Sequence, residues 1–282
     1  MYTIKYMEPG IIPSVVGGMG NQMFIVAAAY VVSKVKQCPL YILYNPIENN
    51  KHNKTKTDYN KSLFKYFGTH SDIPVTQAHT LVQHGYKIFH QGNGFSHWNP
   101  NSVSPGSILT SYYQYYPPLA PYENDLRSLF LQGLSEYIEK NKNTGLNFEN
   151  AAFLHVRRGD YLNIPHFHFI QSIDEYYKPS VEKLIQQANP TTIYVLSDDP
   201  KWIQEQPFFN QNPIFKVMDI PNELDALAFM TQCTAGAICA NSTFSWWGAF
   251  LGAYAKRAPV FVPKRWIADT VVSLFPVEWA VI

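Results

Sequence analysis

The chain carries almost no net charge: 22 Lys and Arg against 21 Asp and Glu leave +1 over 282 residues. With no global field to draw it to nucleic acid or to an anionic membrane, any specificity for a polyanion has to be local. Cysteine is equally sparse. Cys38, Cys233 and Cys239 form no Cys-x-x-Cys and leave an odd thiol, which argues against a zinc framework and a disulfide scaffold and fits a reducing compartment. No uninterrupted apolar run reaches about 18 residues, and the first ten residues hold no apolar core of signal-peptide length. The chain therefore reads as a cytoplasmic protein without an integral membrane segment.

Other absences are of motifs. There is no Gly-x-Ser-x-Gly, no His-Glu-x-x-His and no cysteine-centred nucleophile pattern, so hydrolase and protease readings fall away. Repeats of solenoid length are missing too. Asn53-Lys54-Thr55, Asn60-Lys61-Ser62 and Asn241-Ser242-Thr243 match the glycosylation acceptor pattern, which carries little meaning without a secretory route.

What is present is a globular composition, 46% hydrophobic and 15% aromatic with 19 Tyr and 6 Trp, enough for substantial cores and for surfaces that stack on sugars or bases. The order of elements is α/β. Ser14 to Val16 reads as a strand, Gly17-Gly18-Met19-Gly20 as a loop and Asn21 to about Lys36 as an alanine-rich helix, followed by a strand from Leu40 to Tyr44. This βαβ unit implies a parallel sheet. Residues 48 to 61 read as a loop, Ser107 to Tyr116 as a tyrosine-loaded strand whose Tyr112 to Tyr116 rings either turn toward a sugar or belong to a half-buried strand, and Asn124 to about Glu139 as one helix. The polar run Lys140 to Asn150 marks a boundary that divides the chain into 1–145 and 146–282. The second half repeats the rhythm, with strands at Ala151–Val156, Thr192–Leu196, Ala235–Ala240 and Pro259–Val262. Helices stand between or after them at Val181–Ala188, Glu223–Thr231 and Trp246–Ala255. Two α/β halves facing each other predict a cleft in which two substrates meet.

Chemistry concentrates at strand ends. The apolar run Ala151 to Val156 leads straight into Arg157, Arg158 and Asp160, bringing two guanidiniums to the edge where ligands sit in open α/β sheets. Adjacent arginines suit a diphosphate. The alternative is a solvated pair with Asp160 as counter-ion. Gly17 to Gln22 allows close backbone approach to a ligand but lacks the Lys-Ser or Lys-Thr of a Walker loop and the spaced glycines of a dinucleotide fingerprint; tight packing explains it as well. Asn241-Ser242-Thr243-Phe244-Ser245 opens a helix with more hydroxyls than a cap requires, which suits a second phosphate contact, with Trp246 and Trp247 as core. Asp198-Asp199 could hold a metal with a diphosphate or be an ordinary Asp-Pro turn, and the arginines make a metal redundant. His166-Phe167-His168 lacks a third ligand and reads as a loop.

Three segments taken together resemble the α-1,2-fucosyltransferases of glycosyltransferase family 11: Gly-Gly-Met-Gly-Asn-Gln-Met-Phe at 17 to 24, His-Val-Arg-Arg-Gly-Asp-Tyr at 155 to 161, and Asn-Ser-Thr-Phe-Ser-Trp-Trp-Gly-Ala-Phe-Leu at 241 to 251. Ser-Asp-Asp between the last two and Ser-Tyr-Tyr-Gln before them spread the likeness over most of the chain. The resemblance implies two facing Rossmann-like domains of GT-B type with the active site in the cleft between them, an N-terminal acceptor-side domain and a C-terminal GDP-fucose-binding one. It implies inverting transfer of L-fucose from GDP-fucose to the 2-hydroxyl of a galactose on a glycan acceptor, with neither metal nor other cofactor. Carried onto this chain, Arg157 and Arg158 are catalytic, steadying the departing GDP. His155, Asp198, Asn241, Ser242, Thr243, Phe244 and Ser245 complete the donor site, while Gly18, Gly20, Asn21, Gln22 and Asp160 fall to the acceptor side of the cleft. Asp225 stands one residue before the place where family members carry an acid, here Ala226. The rivals are another fucosyl linkage (α-1,6 or protein O-fucosylation) and a silent glycan-binding protein of the same fold.

Overall fold

The computed structural model describes residues 8–44, 56–165, 168–267 and 274–282. The chain divides into two compact units, Met1–Leu134 with Val272–Pro276, and Ser135–Val271 with Val277–Ile282.

The first unit is a parallel α/β layer. β1 (Ile11–Pro13) lies beside β5 (Ser107–Thr110), which lies beside β4 (Lys87–His90). β2 (Tyr41–Tyr44) and β3 (Thr69–Pro74) pair separately, joined to β1 through a bridge from Ile11 to Leu40. All these pairings are parallel, so the loops after β1, β4 and β5 leave at one edge. Between β1 and β2 runs α1 (Met19–Lys36), on which Met23 to Ala29, Val31 and Val32 are fully buried. A helix apolar on nearly every side is one that packs inside. It ends where Gln37 turns left-handed at φ 50°. Short α2 (Ala78–Gln83) and α3 (Glu123–Gly133) complete the unit.

In the second unit, β6 (Ala151–Val156), β7 (Thr192–Ser197), β8 (Phe215–Met218), β9 (Gly236–Ile238), β10 (Val260–Val262) and β11 (Ala280–Val281) form one parallel sheet in the order β11-β10-β9-β6-β7-β8. Counted from β6 as the first strand, this is the 3-2-1-4-5-6 order of dinucleotide-binding sheets. β6 lies at its centre, every residue buried, which is why its sequence is an unbroken apolar run rather than an alternation. The helices are α4 (Ser135–Lys142), α5 (Lys178–Ala188), α6 (Pro200–Glu205), α7 (Pro207–Asn210), α8 (Glu223–Gln232) and α9 (Thr243–Leu251). Trp246 and Trp247 are fully buried, as their place on α9 predicts. α9 approaches α8 closely: a methyl on Gly248 would stand 2.8 Å from Met230 Cβ, and one on Gly252 would stand 2.9 Å from Thr231 Cα.

Three sequence expectations are corrected. The first strand is Ile11–Pro13, not Ser14–Val16, because Ile11 and Ile12 are the buried partners of Ser107 and Ile108 whereas Val16 is exposed. The tyrosine-rich strand stops at Thr110, since Ser111 at φ 116° and Tyr113 at φ 53° leave the extended region. The helix expected over 124–139 is two helices that part at Leu134. Most of the loop expected over 48–61, the acceptor triplet at Asn53, and His166 and Phe167 fall outside the described residues.

Candidate active site

In a sheet of this order the ligand crevice lies where the chain reverses direction, at the carboxyl ends of the first and fourth strands, here β6 and β9. β6 delivers Arg157 and Arg158 there, β9 delivers Asn241 to Ser245, and the neighbouring β7 delivers Asp198 and Asp199.

The arginines part company. Arg157 reaches the edge with its side chain 30% exposed; Nη2 meets Asp160 Oδ1 at 2.5 Å and Nη1 meets Asp198 Oδ2 at 3.1 Å. Burial works against its charge, but Asp198 and Asp160 outweigh it and hold the guanidinium more firmly protonated than usual. Arg158 turns the other way. Its Nε donates to Asp199 Oδ2 at 3.1 Å and its guanidinium lies over the Trp202 ring, 3.8 Å from the centroid. Asp198 joins the two: Oδ1 accepts the Arg158 backbone N–H at 2.9 Å while Oδ2 holds Arg157. It lies so close over Gly159 that a methyl there would collide with Oδ2. Asp199 also caps α6, accepting the Trp202 N–H at 3.2 Å.

His155, one residue before the edge, is buried beneath Arg157. Burial, and then the Arg157 charge, push its pKa down to about 3, so it is a neutral imidazole. Its ring faces Phe244 at 5.6 Å. The segment after β9 also divides into struts and an edge. Asn241 is buried and its Nδ2 donates to Phe169 O and Trp266 O, each at 3.0 Å, while its own carbonyl accepts the Tyr161 hydroxyl at 2.9 Å. Ser245 Oγ is buried 3.1 Å from Ser242 O. Ser242, at the helix start, makes no side-chain cap bond, and α9 has no acid in its first turn. Capping therefore does not account for Ser242, and the end of the helix is electrostatically open to an anion. Asp225 is tied elsewhere: Lys140 Nζ meets its Oδ2 at 2.6 Å and Asn141 Nδ2 donates to its backbone carbonyl at 3.1 Å, locking α4 to α8. All three thiols are free, and burial raises those of Cys233 and Cys239 far above the ordinary range. Among the described residues no group of three or more His, Cys, Asp or Glu is placed to hold a metal ion. No helix there is long and apolar enough to cross a membrane.

In the first unit, Gln22 is buried and its Nε2 donates to Gly17 O at 2.9 Å, closing the glycine loop on itself. Gly17 needs its φ of 78° for that turn. Gly18 begins α1 with nothing within 4 Å of the place a methyl would occupy, and Gly20 is buried in the first turn. Asn21 Oδ1 accepts from Gln114 Nε2 at 2.9 Å, tying the first turn of α1 to the loop after β5. Sequence reasoning singled out Asn21, quoted Gln114 only as the end of Ser-Tyr-Tyr-Gln without a role, and did not reach Trp202 in the second unit. The signal for Trp202 was its place three residues after a helix-capping Asp199.

Residues 92–281, more than half of the chain, match the family described as Glycosyl transferase family 11. The chain belongs to glycosyltransferase family 11. Its family relatives include the O-antigen biosynthesis glycosyltransferase WbnK of Escherichia coli, 29% identical over 89% of this chain and 93% of that protein. An alpha-1,2-colitosyltransferase of Escherichia coli is 22% identical over 95% of this chain and 97% of its own. A galactoside 2-alpha-L-fucosyltransferase of Caenorhabditis elegans is 27% identical over 50% of this chain and 41% of its own. Among solved structures, the fucosyltransferase NodZ from Bradyrhizobium superposes with a TM-score of 0.52 at 11% identity, covering 87% of this chain and 94% of that one, a likeness of fold. The family match thus bears out the resemblance carried by the three motifs, two of which lie within the matched residues.

Proposed function

We propose that this family 11 glycosyltransferase moves L-fucose from GDP-fucose to the 2-hydroxyl of a galactose residue on a glycan acceptor, with inversion and in the cytoplasm. The observation that carries the reading is Arg157: a guanidinium at the end of the central strand, held by Asp160 and Asp198 yet partly open at the reversal point of the sheet. In the transfer the bond from fucose C1 to the β-phosphate oxygen breaks and the acceptor oxygen bonds to C1. The electron pair leaves on GDP and the hydroxyl proton passes to solvent. Arg157 meets the charge that gathers on the phosphate, a role in which one well-placed donor is worth roughly 10²–10³ in rate. Asp160, half exposed, gives way to the diphosphate; Asp198 keeps the guanidinium aimed. Ser242, Thr243 and Phe244 receive the anion at the start of α9, Arg158 braces Asp199 and the loop, and His155 lines the floor. No metal is called for where arginine supplies the charge. Asn21, with Gly18 leaving room, Gly20 packed in the same turn and Gln22 fixing the loop, serves the acceptor.

Incubation with GDP-fucose and a β-galactoside in excess EDTA is expected to give a fucosylated product whose linkage analysis shows substitution at the galactose 2-hydroxyl. GDP-fucose hydrolysis without transfer to any galactoside would overturn the linkage, loss of transfer in EDTA the metal-free step, and failure to bind GDP the whole reading. A colitosyl donor is the second reading, favoured by the near-full-length likeness to the alpha-1,2-colitosyltransferase; direct competition between the two donors separates them.

A further inference from the structure

Tyr112 is held in an unusual way. It stands between two residues in left-handed conformations, Ser111 at φ 116° and Tyr113 at φ 53°, an arrangement that is strained and persists only where neighbours impose it. They do. The Tyr113 ring is fully buried, edge-on to Trp98 at 5.5 Å, with its hydroxyl donating to Phe89 O at 2.9 Å, and the Gln114 N–H donates to Gly94 O at 2.7 Å. Tyr115 is taken up by His97, ring to ring at 4.5 Å, and Tyr116 is buried. Tyr112 alone of these four tyrosines is thrown outward, 37% exposed.

Its ring rests on two glycines. A methyl on Gly17 would stand 3.2 Å from Tyr112 Cε1, and one on Gly94 would stand 3.2 Å from Tyr112 Cδ2, so a side chain at either would crowd the ring by a few tenths of an ångström. The same point above Gly17 is 3.0 Å from Asn21 Nδ2, which places the Asn21–Gln114 carboxamide pair at the ring's edge. The stretches that supply these groups are also without charge: no Asp, Glu, Lys or Arg occurs between Glu8 and Lys34, or between Lys87 and Glu123. A rigid exposed aromatic face beside planar amides, with no ionic group in its loops, is the chemistry that receives a neutral pyranose: apolar C–H groups on the ring, hydroxyls on the amides.

Resting on the fucosyltransferase reading, we propose that Tyr112 is the acceptor platform, stacking on the face of a galactopyranoside while Asn21 and Gln114 engage its hydroxyls. Galactose fits this surface because its axial 4-hydroxyl leaves H3, H4 and H5 together on one apolar face. Saturation-transfer NMR on the full chain with GDP and methyl β-galactoside is expected to give the strongest transfer to H3, H4 and H5. Tyr112→Ala abolishes the effect and Tyr112→Phe keeps it, with the GDP Kd unmoved as proof of fold. In turnover Tyr112→Ala raises the acceptor KM about tenfold, the size of one aromatic contact, and leaves that for GDP-fucose in place. Unchanged galactoside binding in Tyr112→Ala overturns the platform, as does an equal loss in Tyr112→Phe or a shift in the GDP-fucose KM in place of the acceptor's. Intact, Tyr112-dependent galactoside binding without fucosyl transfer sinks the proposed activity and leaves the platform standing.

Discussion

Beyond β6 and β7 the second unit gathers Arg157, Arg158, Asp160, Asp198 and Asp199 into one set of ion pairs; beyond β1 and β5 the first unit sets out Asn21 in the first turn of α1 and Tyr112 and Gln114 on a loop, in stretches with no Asp, Glu, Lys or Arg. Both edges are made of parallel strands and both begin a helix directly after the loop. The backbone plan is shared and the chemistry is opposite, so a ligand is chosen by the residues grafted on the strand ends rather than by the sheet. A charged edge suits a group whose charge changes during reaction, whereas a neutral, rigid edge suits a group that has only to be oriented.

That contrast can be broken in graded ways. The largest effect is expected from Arg157→Ala, which should lower kcat by about 10³ while methyl β-galactoside still binds; loss of galactoside binding in this variant would dissolve the division of labour. Next is acid. His155 is neutral when folded, with its pKa at about 3, and chargeable once unfolded. Its contribution to stability is therefore complete above an ordinary pKa near 6.5 and is lost as pH falls from about 6.5 toward about 3. Urea unfolding between pH 7 and pH 5 should show His155→Gln losing about 2 kcal/mol less than the parent; equal slopes would remove His155 as the cause. The smallest effect is that of salt. Raising NaCl from 0.05 M to 0.5 M should weaken GDP binding about threefold through screening of a partly exposed guanidinium and leave galactoside binding unchanged in titration calorimetry.

The strongly charged edge was also the legible one. β6 declared itself because a strand buried on both faces is a continuous apolar run, and the residues next in the chain after such a run must emerge at its carboxyl end. The neutral edge was harder to read for a physical reason. Ser107 to Tyr116 has the letters of one strand, but the turn at Ser111 is imposed by tertiary partners of Tyr113 and Gln114 that no local pattern encodes. The break at Leu134 is similar: a methyl on Gly133 would stand 2.7 Å from Leu63 O, a close approach invisible to helical periodicity. β3, Thr-His-Ser-Asp-Ile-Pro, has no fully buried residue and carries no alternation to find. Within the charged edge, the motif letters placed Arg158, Asn241 and Ser245 beside Arg157 without distinguishing struts from contacts. Only the partners do that: Trp202 and Asp199, the carbonyls of Phe169 and Trp266, and Ser242 O.

Gly159 has no functional group, yet it controls where Asp198 can stand. A methyl there meets the far end of a side chain rather than backbone, so the carboxylate would swing aside while the strand and its loop stay put. The consequence is practical. Gly159→Ala is a silent lock: it leaves both arginines, and hence the positive charge of the edge, but takes away the brace that aims Arg157. On the proposed function, a protein disarmed in that way is the natural vehicle for trapping donor and acceptor together without turnover.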